Sequence, residues 1–138
     1  LNHPHSIVSL SDAGAHLTFF NDAGFGLHLL GHWSRELGAM PLAEAVRRLT
    51  SHPADVLGLA QRGRIRAGDA ADLLLFDPKT VGRGPKRRLH DLPAGAARLT
   101  SDALGVHGVW VNGAQIADGD GLVAQPPLAG ELLTHFVA

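Results

Sequence analysis

The spacing of apolar residues in this 138-residue chain changes character at Gly58, and that change limits the folds open to it. Before Gly58, Leu27, Leu30, Trp33 and Leu37 recur at helical intervals, with Leu29 widening the stripe. This predicts a helix from Phe25 to Leu37 that ends at Gly38. Pro41 then opens a second helix from a first-turn position, with Leu42, Val46 and Leu49 as its apolar stripe. Glu44 and Arg48 form an i,i+4 pair there, worth a few tenths of a kcal/mol. A third short helix runs from Pro53 to Leu57, with Ser51 as its cap and Gly58 as its stop.

After Gly58 the helical period disappears. Gly63 to Asp69 reads as a short strand and turn, and Asp72 to Asp77 as a strand stopped by Pro78. Residues 79 to 103 are rich in glycine and proline and read as loop. Val106–Val111 and Ala114–Ala117 flank Asn112-Gly113. Asn-Gly between two apolar runs predicts a hairpin, because a type I′ turn needs positive φ at both central residues.

The first half contains one strand candidate, Ile7 to Leu10, followed by the small-residue loop Ser11-Asp12-Ala13-Gly14-Ala15-His16. A strand standing alone leaves backbone N–H and C=O groups unpaired on both edges. Residues 1–58 are therefore expected to be one strand-loop-helix unit that needs partner strands from elsewhere. Residues 59–138 are expected to be an antiparallel β unit with loops. The chain lacks an initiator Met and opens on Leu1-Asn2-His3-Pro4-His5, which reads as the middle of a longer protein.

Composition narrows the function classes. The formal net charge is -1, and Lys86-Arg87-Arg88, expected to be a solvated loop, is the sole basic run, so nucleic acid and anionic membranes are not expected partners. There is no cysteine, hence no disulfide framework and no thiolate metal site, which fits a reducing cytoplasm. No apolar run approaches the ~20 residues of a membrane helix, and no signal peptide is visible at Leu1.

Four segments, in order, resemble the amidohydrolase superfamily, and within it the N-acyl-D-amino-acid deacylase family. Ser11–His16 is similar to the end of that family's eighth barrel strand and the loop after it. Thr50-Ser51-His52-Pro53-Ala54-Asp55-Val56-Leu57-Gly58-Leu59 resembles the helical link out of the barrel. Gly63-x-Ile65-x-x-Gly68-x-x-Ala71-Asp72-Leu73 followed by Phe76-Asp77-Pro78 is similar to the return into a small β-sandwich. Val109-Trp110-Val111-Asn112-Gly113 with Asp118-Gly119 resembles the closing hairpin of that sandwich.

The resemblance implies an α/β fold: the C-terminal fragment of a metal-dependent (β/α)8 barrel, residues 1–58, plus part of a β-sandwich, residues 59–138. It implies one or two divalent ions, usually zinc, in the complete enzyme, and a small N-acylated amino acid as substrate. The missing N-terminal barrel segment becomes the expected partner, with self-association a further possibility.

The resemblance makes Asp12 the catalytic residue and a metal ligand. Active sites of such barrels lie on the loops that follow the strands. A carboxylate is both a hard metal ligand and a proton acceptor. From the local residues alone, Asp12 is equally readable as a cap or Asx-turn residue. His16, close to Asp12, is a candidate for lining the substrate pocket. Arg98, just after Pro93-Ala94-Gly95, is a candidate clamp for a substrate carboxylate by analogy with a substrate-side loop.

His3-Pro4-His5 is rejected as a metal pair because it precedes its strand rather than following it. His28 and His32 have zinc-compatible spacing, but helix packing or a partly exposed pair is the expectation. Two other readings stay open: a non-catalytic β-rich structural or interaction domain, and a cyclic-amide hydrolase fragment.

Overall fold

In a computed structural model of the protein, residues 1–9 and 15–137 are described. The fold is mixed α/β: helices fill the first half, and small antiparallel sheets the second. Helix α1 (Phe25–His28) runs directly into a π-helix (Leu29–Glu36). Helices α2 (Leu42–Leu49) and α3 (Ser51–Leu57) follow. The β-rich half holds β1 (Leu73–Phe76), β2 (Gly82–Arg83), β3 (Arg87–Leu89), β4 (Arg98–Thr100), β5 (Ala103–Leu104), β6 (Val106–Val111), β7 (Ala114–Asp118) and β8 (Gly121–Leu122).

The three predicted helices are present, with differences that have physical causes. The π-helical stretch carries bonds such as Leu37 N–H to His32 O, five residues back, and Ala39 N–H to Trp33 O, six back. Each wide turn delays the repeat. The buried face therefore holds Leu29, Leu30, Gly31 and Ser34, and the predicted stripe residues Trp33 and Leu37 are exposed. Pro41 caps α2 from outside the first turn: its φ/ψ is extended and its carbonyl accepts from Ala45 N–H. The expected cap Ser51 is instead the first residue of α3. Thr50 is the capping residue, and its hydroxyl bonds back to Val46 O (2.8 Å). Gly58 ends α3 with φ 65, where only glycine sits without strain.

The Asn112-Gly113 hairpin forms as predicted, with φ 46 and 81 at its two turn residues. It joins β6 to β7 within a four-stranded sheet of order β1-β6-β7-β8, antiparallel throughout. Asp72 fixes the turn, because its Oδ1 accepts from Asn112 N–H (2.8 Å). Strand β1 ends at Asp77, whose carboxylate accepts from Lys79 N–H and the Thr80 hydroxyl.

Two expectations are corrected. Gly63 to Asp69 contains a turn but no strand. Arg64 pairs with Asp55 in α3 and Ala70 N–H bonds to Gln61 O, leaving Ile65 89% exposed and without a partner strand. Residues 79 to 103 are not all loop: they pair as β2 with β5 and β3 with β4. Arg87 and Arg88 of the basic run therefore lie in β3, where Arg87 bonds to Asp102. Ile7–Ser9, the described part of the first expected strand, join no sheet; Leu10 lies outside the described residues.

The core is small. Leu29, Leu30, Met40, Ala45 and Val81 form it, with Val8, Leu27, Leu42, Val46, Leu49 and Phe76 packed around. Val81 comes from the β-rich half and is fully buried. Gly31 lets the π-helix reach it: a Cβ there would stand 2.6 Å from Val81 O and 2.9 Å from Gly82 Cα. Among the described residues, no helix is long and apolar enough to cross a membrane.

Candidate functional site

Asp12, the residue that the sequence marks as catalytic and metal-binding, lies outside the described residues. The segments on either side are described, and both are anchored. Upstream, Asn2 Nδ2 donates to Ala39 O (3.0 Å), and Arg48 of α2 reaches His3 and Ser6. Arg48 is only 4% exposed. Its Nε donates to Glu44 Oε1 (2.8 Å), which neutralises the buried charge. Arg47 bonds to the same carboxylate at 2.7 and 2.9 Å. These bonds, from Arg47 first and then Arg48, hold the Glu44 carboxyl at about 2.

Downstream, Leu17 O accepts from Leu99 N–H of β4 (2.8 Å). Asn21 is 5% exposed, and its side chain bonds to Ala23 N–H (3.1 Å) and Ser101 Oγ (3.4 Å). Arg83 Nη2 donates to Asn21 O (3.2 Å). Tertiary structure thus joins the stretch after the Ser11-Asp12 loop to strands more than sixty residues away. Sequence reading paired Arg48 with Glu44, as the structure does, but missed its burial, and it missed Asn21. The available signal was positional: Arg48 follows the buried Ala45 by three residues and so shares its inward helix face.

The two substrate-side candidates come onto adjacent backbone. His16 is exposed, has φ 51, and stacks on Phe19 with ring centroids 5.0 Å apart. Arg98 precedes Leu99, the residue bonded to Leu17. Its guanidinium pairs with Asp91 through two 2.7 Å bonds. The hydrogen bond from Arg98 holds the Asp91 carboxyl below the usual carboxylate range and raises Arg98 in return. Arg98 has the fork geometry that a carboxylate needs, with an internal carboxylate already in the fork.

Four further histidines fall into two pairs. His28 and His32 stack with centroids 4.8 Å apart, and His32 Nδ1 lies 2.9 Å from Glu36 Oε2. Burial, followed by the neighbouring His32 and Arg83, pushes the His28 imidazole below its ordinary value. Arg35 and Arg83 line the same small cleft, and their charge opposes a cation there. The rings of His3 and His5 are tilted at 51° and both residues are exposed, with His3 O committed to Arg48. Among the described residues, no group of three or more His, Cys, Asp or Glu side chains is placed to hold a metal ion.

Comparison with known proteins adds what this geometry leaves open. Residues 1–117 match the Amidohydrolase family. A D-aminoacylase from Alcaligenes xylosoxydans xylosoxydans is 38% identical over 110 residues, covering 80% of this chain and 20% of that protein. A solved structure of a D-aminoacylase mutant in complex with copper chloride superposes with TM-score 0.62 at 35% identity, covering 81% of this chain and 21% of that one. The N-acyl-D-glutamate deacylase of Bordetella bronchiseptica, complexed with zinc and a phosphonate mimic of the tetrahedral intermediate, superposes with TM-score 0.56 at 36% identity. That match covers 78% of this chain and 19% of the deacylase. The chain thus spans about a fifth of the length of the relatives it matches.

Proposed function

This chain belongs to the Amidohydrolase family, and from that membership we propose that it supplies the C-terminal part of a metal-dependent hydrolase of N-acyl-D-amino acids. The observation that carries this reading is the 38% identity to a D-aminoacylase across 80% of the chain, over a family match that includes the Ser11-Asp12 loop. Residues 1–58 would then be the last strand-loop-helix unit of a (β/α)8 barrel, and residues 59–138 part of a β-sandwich. Strand β1 supports that division: among the described residues it pairs with β6 alone, and its Leu73, Leu74 and Leu75 are exposed at that edge of the sheet.

In this reading Asp12 is the working group contributed by the chain. Its carboxylate takes a proton from the attacking water as oxygen bonds to the amide carbon. It then gives that proton to the departing nitrogen as the C–N bond breaks, leaving a carboxylic acid and a free amine. A divalent ion, when bound, brings the water's pKa down to about 7. The described residues do not compose a metal site by themselves, so its other ligands would come from beyond this chain. His16, and Arg98 once released from Asp91, are the candidates for meeting substrate.

The test is Asp12→Ala in the complete protein, assayed on N-acyl-D-amino acids. Loss of nearly all deacylation is expected, and near wild-type turnover by that variant would count against the proposal.

A further inference from the structure

Where α1 and the π-helix meet strand β2, the surface folds into a cleft of about 250 Å³. His28, His32, Arg35 and Glu36 line it from the helical side and Arg83 from β2, with Leu104 of β5 as its apolar wall. Four of these five polar side chains can carry positive charge. With both imidazoles neutral, the two arginines exceed Glu36 by one positive charge; with both protonated, the excess is three. Like charges gathered in one place repel. Desolvation first, then the neighbouring His32 and Arg83, hold the His28 imidazole below its ordinary value. Glu36 is already shared between His32 (2.9 Å) and Arg35 (3.2 Å) and has nothing left to balance Arg83.

Both guanidiniums are held in place. Arg35 Nη1 donates to Val81 O and its Nη2 to Glu36. Arg83 Nη2 donates to Asn21 O (3.2 Å), which uses one of the five N–H groups of its fork. Glycines make room for them: a Cβ at Gly31 or Gly82 would lie 3.4 or 3.7 Å from Arg35 Nη2, and one at Gly24 would lie 3.2 Å from Arg83 Cδ. Among the described residues Arg83 forms no ion pair, whereas Arg35, Arg87 and Arg98 each meet a carboxylate. Arg83 is half-buried, so its charge is less screened than that of a fully exposed arginine.

We propose that this cleft binds a small, doubly charged oxyanion of the phosphate or sulfate class. The Arg83 fork and the His28 ring are its donors, and Arg35 supplies a second fixed charge. A guanidinium fork suits such an anion because two parallel N–H groups meet two of its oxygens. Size points the same way. At roughly 30 Å³ per water, the cleft holds a five-atom anion with a few waters, and it is smaller than the ~300–1,000 Å³ pockets of larger ligands. The site does not depend on the role of Asp12.

The experiment uses the complete protein with inorganic sulfate as probe, at constant ionic strength made up with chloride. Binding is read by calorimetry and by thermal melts, since a ligand that binds the folded state raises its melting temperature. Wild type should melt higher in sulfate than in chloride. Arg83→Gln should weaken sulfate binding about tenfold or more, the scale of losing a charge-assisted fork. His28→Gln changes an exposed side chain and leaves the Arg83–Asn21 bond in place. It should weaken binding severalfold at pH 6, and it decides the matter alone if Arg83→Gln does not fold. Affinity in wild type should rise from pH 8 to pH 6 as imidazole charge accumulates. Over that range Glu36 stays ionised, its carboxyl held low first by the His32 hydrogen bond and then by Arg35, and the arginines keep their charge. Inorganic phosphate should displace sulfate, and acetate should not. Equal sulfate affinity in wild type and both variants, or no stabilisation beyond that of chloride, would overturn the site. Acetate competing as strongly as phosphate would overturn the assignment to a doubly charged anion.

Discussion

Gly31 is a point of close approach between the helical half and the β-rich half. Its missing side chain leaves room for Val81 O and Gly82 Cα, and Arg35 bonds to the same Val81 carbonyl. Gly31→Ala sets two effects against each other. Alanine in a helix gains up to about 1 kcal/mol over glycine. Overpacking costs about 1–3 kcal/mol, and here the obstructing atoms are backbone that no side-chain rotation can clear. Gly31→Ala should therefore destabilise the protein in denaturant melts. Gly26→Ala is the control: its added Cβ would lie 3.6 Å from Leu49 Cδ1, an ordinary contact, so propensity should win and stability hold or rise. Equal losses at both positions would show that the close approach at Gly31 is not what decides the effect.

At the scale of elements, helix α2 carries its own pH dependence. Its Glu44 carboxyl is held at about 2 against an ordinary 4.5 by Arg47 first and Arg48 second. A carboxyl depressed in the fold contributes stability above its unfolded value, and that contribution is lost as pH falls through its folded value. Wild type should therefore melt above Glu44→Gln at pH 7. The gap should shrink as pH drops below about 4.5 and close near pH 2. Thermal melts of the two proteins at pH 7, 4, 3 and 2 check this, and a gap that stays constant would remove Glu44 as its source. The neighbouring π-helix shows the limit of reading elements by period. A helix ending at Gly38 follows from Leu27, Leu30 and the glycine stop, but its π-helical turns and its buried face do not, because bonds to residues five and six back shift the repeat.

For the whole molecule, the core cluster among the described residues is five buried apolar side chains and their surround, while Leu73, Leu74 and Leu75 stand exposed on one edge strand. Such an edge is open to another strand, from a longer protein or from a second copy. The proposed division of labour predicts that the 138-residue chain alone takes up no stoichiometric zinc, since Asp12 would be its single assigned ligand. Calorimetric titration, with metal analysis after dialysis, checks this; one tightly held zinc per chain would contradict it.

The sequence by itself determined the features that depend on near neighbours. The stops at Gly38 and Gly58 and the Asn112-Gly113 turn follow from backbone sterics, and the three helices from short-range periodicity. The motifs that resemble the deacylases sit at fixed places along the chain, so the family too was legible there. Tertiary structure alone decided what depends on distant partners. It gave Gly63–Asp69 no neighbouring strand, paired β2 with β5 and β3 with β4, and buried Arg48 against Ser6 and His3. It also spent Arg98 on Asp91. A sheet partner or a buried ion pair is fixed by residues far apart in sequence, and no local period or propensity encodes which of them will meet.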